Sequence, residues 1–82
     1  DAIDDLDREL VALIARRVRL ALRAGAAKAR LGRPVQDPQR ERALLEVRAQ
    51  WAAEAGLAGD ALGEIFLAIL RLSRRQQSGK ER

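Results

Sequence analysis

Two cations stand where the hydrophobic pattern of this chain asks for leucine. Ile3, Leu6, Leu10, Leu13, Leu20 and Ala24 recur at steps of three, four and seven, which traces one face of a helix. At roughly 100° per residue, Arg17 falls within about 40° of Ile3 and Lys28 within about 20° of it. Near the other end, Leu62, Phe66 and Ile69 form a line with Leu70 beside it, and Ser73 and Gln77 continue that line at steps of four. A buried cation, hydroxyl or amide is costly unless it meets a partner. Taken singly, each of the four also fits a side chain that snorkels outward or a helix end that frays. Together they describe a polar pocket inside a helical bundle, with two positive charges, a hydroxyl and an amide, and no evident base or nucleophile. Either acids on other helices pair with the two cations, or the pocket awaits an anionic ligand.

The composition narrows the chemistry further. The 82 residues contain no cysteine, histidine, tyrosine, threonine or asparagine, and the only serines are Ser73 and Ser78. Disulfides and thiolate metal sites are excluded, and so are most nucleophilic and histidine-based acid–base routes. Only carboxylates remain as strong metal ligands, so neither a metal nor a cofactor is expected. The net charge of +4 comes from 16 basic and 12 acidic residues and favours an anionic partner. Trp51 and Phe66 are the only aromatic residues, too few for a single-strand stacking platform. Fourteen of the basic residues are arginine, so the internal Lys28 stands out as a point charge among forks. No apolar run is long enough to span a membrane and no signal peptide is visible, so a cytoplasmic location is expected.

The elements that must position these residues are helices, since alanine, leucine and arginine dominate and strand formers are few. One all-α domain is expected over residues 1–82. The first helix should cover about 1–30, with Asp4, Asp5 and Asp7 at the positive end of its dipole and Gly32 and Pro34 as its stop. A loop follows at 31–37. The second helix should cover about 38–55, with Asp37 as N-cap, Pro38 at the first helical position, Leu44, Val47, Trp51 and Ala55 as its apolar face, and Gly56 at its end. The third should cover about 59–77, with Leu62, Phe66, Ile69 and Leu70 inward and a fraying tail. A helix of about 30 residues is roughly 45 Å long, whereas a compact domain of this size has a radius of gyration of about 12 Å. Two shorter helices cannot cover so long an apolar stripe, which points to an intertwined homodimer; a kinked first helix in a monomer is the alternative.

Three segments carry a resemblance: "IDDLDRELVALIARR", "GAAKARLGRPVQDPQRE" and "IFLAILRLSRRQQ". In order and spacing the chain resembles the all-helical (AroQ-class) chorismate mutases over nearly its whole length, from Ile3 to Gln77. The Lys…Gly-Arg-Pro-Val…Asp-Pro…Arg-Glu segment is the most specific part. The resemblance implies a homodimer of three-helix chains with two shared active sites, acting on chorismate in aromatic amino acid biosynthesis or a related secondary pathway. It implies that Arg17 binds a substrate carboxylate and that Lys28 contacts the other polar end and the ether oxygen. Asp37 would read the ring hydroxyl, and Arg40 and Glu41 match the pair that opens the second helix. Ser73 would stand near a carboxylate and Gln77 at the ether oxygen. Arg17, Lys28 and Gln77 would thus be catalytic. The family also places an arginine three residues before the isoleucine matched by Ile3. That position lies immediately before Asp1, and an arginine serving the partner's site is expected there, upstream of this chain.

Two neighbouring activities, isochorismate–pyruvate lyase and 4-amino-4-deoxychorismate mutase, would use nearly the same cradle. A different class, a basic helical dimer that binds RNA or acts as a scaffold, would present Arg8, Arg16, Arg19, Arg23, Arg71, Arg74 and Arg75 to phosphates. That reading leaves Lys28 and Gln77 on apolar stripes unexplained, and no nucleic-acid or membrane partner is expected. Whether the unit stands alone, is fused to another domain or needs a partner enzyme is open from the residues.

Overall fold

A computed structural model describes residues 1–34 and 37–80 of the chain, with side chains through residue 77. Val35 and Gln36, within the central motif, lie outside the described residues. Three helices follow in order: α1 (Ala2–Arg30), α2 (Pro38–Glu54) and α3 (Gly59–Lys80). The described residues contain no strand. No described helix is long and apolar enough to cross a membrane.

The boundaries follow from local chemistry. Asp1 caps α1, its Oδ1 accepting from the Asp4 N–H at 2.9 Å. At the other end Gly32 adopts φ +71, a left-handed conformation that glycine reaches without strain. The chain then reverses through paired hydrogen bonds, with Arg33 N–H donating to the Lys28 carbonyl at 2.8 Å and Gly32 N–H to Ala29 at 3.1 Å. Gly56, at φ +78, ends α2 in the same way, with Leu57 N–H donating to the Ala52 carbonyl at 2.8 Å. Asp37 caps α2, accepting from the Arg40 N–H at 3.2 Å, and Pro38 takes the first turn. α3 continues beyond Gln77 to Lys80, because no proline or left-handed glycine interrupts it.

α3 is the central element, packing against both α2 and α1, while α1 and α2 do not pack on each other. Its inward line is the one the spacing predicts: Leu62, Phe66, Ile69 and Leu70 are half-buried and Ser73 is buried. α2 differs from its expected face. Val47, Trp51 and Ala55 point to solvent, and the half-buried or buried side is formed by Leu44, Leu45, Arg48, Ala49 and Ala52. The apolar residues of α2 are spread around the whole helix, so counting them cannot single out one side.

α1 packs only through its second half, around buried Val18 and Gly25. The first half of its stripe is uncovered within one chain, with Ile3 71% and Leu13 58% exposed. The molecule is accordingly open, 42 Å in its longest dimension with a radius of gyration of 14.4 Å.

Candidate functional site

The second half of α1, the start of α2 and the end of α3 enclose a cavity of about 240 Å³. All seven residues singled out in the sequence line it: Arg17 and Lys28 from α1, Asp37, Arg40 and Glu41 around the start of α2, and Ser73 and Gln77 from α3. Leu44, Leu70 and the small residues Ala21, Ala24 and Gly25 complete the wall, together with Arg74. Small side chains on α1 keep the space open, and Gly25 is itself buried.

Each polar side chain is placed by its element. Lys28 sits in the last turn of α1, one helical turn before the reversal at Gly32, so the carbonyl-capped end of the helix carries it. Asp37 serves both as N-cap and as cavity wall: Oδ1 is held by the Arg40 amide, and Oδ2 has no hydrogen-bond partner among the described residues. Ser73 is only 6% exposed, and its hydroxyl donates to the Ile69 carbonyl at 3.1 Å. That bond satisfies the buried hydroxyl and leaves its oxygen able to accept. The inward Ser73 is therefore stable even without a ligand.

Arg17 carries an unusual environment. Its guanidinium lies 5.9 Å from the centroid of the Phe66 ring. Burial, and secondly repulsion from Arg48, hold its pKa below the ordinary arginine value. A cation that is partly stripped of water beside a like charge has a strong appetite for an anion, and the cavity is where Arg17 can find one. Arg48 itself lies outside the cavity wall. It stacks over Trp51 at 4.8 Å and near Phe66 at 5.6 Å, its Nη1 donates to the Leu44 carbonyl at 3.4 Å, and its Nε is buried with no partner among the described residues.

Two arginines were not among the expected site residues. Arg48 carries no signal in the apolar pattern because a cation contributes nothing to an apolar face, although it stands three residues before Trp51 and four before Ala52. In the sequence Arg74 stands among the arginines that the nucleic-acid alternative would present to phosphates. The structure instead turns it to the cavity and pairs it with Glu41 across α2 and α3. Its signal was present in the steps of four from Phe66 through Leu70 to Arg74. Arg8, Arg16, Arg19, Arg23, Arg71 and Arg75 are exposed.

Among the described residues no cluster of histidine, cysteine, aspartate and glutamate could hold a metal ion. The arrangement can therefore bind, orient and stabilise charge, with arginine forks, one ammonium and one amide as its tools. Residues 1–78 match the sequence profile of the family described as chorismate mutase type II. The chain belongs to that family. Among curated proteins, this chorismate mutase type II domain is 38% identical over 71 residues to the T-protein of Haemophilus influenzae, covering 87% of this chain and 19% of that protein. It is 31% identical over 80 residues to the T-protein of Enterobacter agglomerans, covering 98% of this chain and 21% of that protein. The domain thus spans about a fifth of the length of the curated relatives it matches. No solved structure matches it significantly.

Proposed function

We propose that the chain rearranges chorismate to prephenate, in aromatic amino acid biosynthesis, as a homodimer with two shared sites. The observation that carries this reading is a cavity that gathers Arg17, Lys28, Asp37, Arg40, Glu41, Ser73 and Gln77 from three helices. The reaction is a pericyclic shift in which no proton moves and no covalent intermediate forms. It suits a chain without histidine, cysteine or tyrosine.

The substrate is a flexible dianion that must be held in a compact shape before its ends can meet. Arg17 and Arg40 supply forks for carboxylates, with Ser73 beside one of them. Holding the near-attack geometry contributes several kcal/mol or more. As the C–O bond breaks, negative charge develops on the ether oxygen, where Lys28 and Gln77 stabilise it. Gln77 donates its hydrogen bond at any ordinary pH, whereas a carboxyl would first need a proton. Asp37 and Glu41 accept from the ring hydroxyl.

The homodimer is supported by the uncovered stripe Ile3, Leu6, Leu10 and Leu13 on the first half of α1. A contiguous apolar face of this kind marks an interface, and a second copy of α1 offers a matching one.

Incubation of the purified protein with chorismate, isochorismate and 4-amino-4-deoxychorismate, followed by product identification, tests the reading. Prephenate from chorismate supports it. Pyruvate from isochorismate would assign the lyase instead, and inertness toward all three would remove the enzyme reading.

A further inference from the structure

We propose that Arg74 is a specificity-determining residue: by pairing with Glu41 it keeps the cavity for a substrate with a neutral hydroxyl at the ring carbon and rejects one with an ammonium group there. The inference rests on the mutase reading above and deepens it.

Glu41 comes from the first turn of α2 and Arg74 from α3, 33 residues apart in sequence. Both line the cavity and both are half-buried. Without Arg74, Asp37 and Glu41 would present two carboxylates to the ring substituent, an environment that welcomes a cation. With Arg74 bound to Glu41, one of those charges is already balanced. A hydroxyl still finds acceptors, because each carboxylate has a second oxygen. An ammonium group would instead enter a region where Arg40 and Arg74 already supply positive charge.

The charge that this chain gives the wall agrees. Four cations, Arg17, Lys28, Arg40 and Arg74, face two carboxylates, Asp37 and Glu41, for a net +2. That positive excess suits a dianion whose remaining groups are neutral. The amino analogue carries one negative charge fewer and leaves the wall uncompensated, with like charges held close in a partly dehydrated space. Discrimination of this sort comes from a repulsive element built against the competitor.

The test compares kcat/KM for chorismate and for 4-amino-4-deoxychorismate in the wild-type protein, in Arg74→Gln and in Arg74→Lys. Arg74→Gln keeps length and helix preference while removing the charge; Arg74→Lys keeps the charge. The wild type should prefer the hydroxyl substrate by about tenfold or more. Arg74→Gln should lose at least most of that preference, and Arg74→Lys should retain it. An Arg74 with only a structural role would lower both substrates together and leave their ratio unchanged, which overturns the proposal. A wild type that turns over both substrates without preference overturns it too, with no variant needed. A wild type inert toward both removes the mutase reading itself, a result distinct from loss of selectivity alone.

Discussion

Replacing Lys28 with alanine should lower kcat/KM by about two to three orders of magnitude while leaving the fold intact. An ammonium about 4 Å from a full negative charge contributes roughly 4 kcal/mol in protein-like surroundings. Charge on the ether oxygen is only partly developed in the transition state, so half to nearly all of that figure is at stake. At about 1.4 kcal/mol per decade this spans roughly thirtyfold to a thousandfold, and loss of one positioned donor elsewhere falls at about 10²–10³. The fold should not notice. The Lys28 side chain makes no hydrogen bond or ion pair among the described residues, and the bonds that close α1 end on its backbone carbonyl. Alanine is also the better helix former. Initial rates of chorismate consumption, product chromatography and a circular dichroism melt read both halves. A folded Lys28→Ala protein within threefold of wild-type activity would refute the role of Lys28, and so would a loss of activity that merely tracks unfolding.

Four further outcomes are expected. Leu6→Asp with Leu13→Asp, both on the uncovered stripe of α1, should convert a dimer to a monomer by analytical ultracentrifugation and remove most activity; a dimer of full activity would place the interface elsewhere. Gln77→Glu should turn a flat rate profile around neutral pH into one that rises on acidification, because a carboxyl donates only below a pKa near about 4.3; a flat profile in the variant would exclude a donor role for Gln77. Arg17→Met should lose at least about a hundredfold in activity with an unchanged or raised Tm. Burial and Arg48 lower the pKa of Arg17 in the fold, so its charged form is held at a cost that methionine removes. Gly32→Ala, at φ +71 with nothing within 4 Å of the new methyl, should cost about 1 kcal/mol through backbone strain alone, read as a fall in Tm of about 4–8 °C.

The readable and unreadable parts of the site differ for physical reasons. α1 is long and has one apolar stripe, so Arg17 and Lys28 announce themselves by interrupting it, and α3 does the same for Ser73 and Gln77. The two turns were legible because Gly32 and Gly56 each occupy the left-handed conformation that punctuates a helix. α2 was not legible in the same way. Its apolar residues surround it, so its packed side with Arg48, Ala49 and Ala52 emerges only when α3 is laid against it. Arg74 shows a different limit. Periodicity places it on the inward side of α3, but only the three-dimensional pairing with Glu41 from another helix separates it from the exposed arginines around it. Asp37 combines two duties, N-cap and cavity wall, and either one alone explains its presence in the sequence.

The most direct test of the central claim is a nuclear magnetic resonance time course of chorismate with the purified protein in deuterated water. Prephenate should form as the single product, with no solvent deuterium bound to carbon and no pyruvate, and Lys28→Ala should slow its appearance by about two to three orders of magnitude. Chorismate that persists at the uncatalysed rate in the presence of the folded wild-type protein would contradict the account.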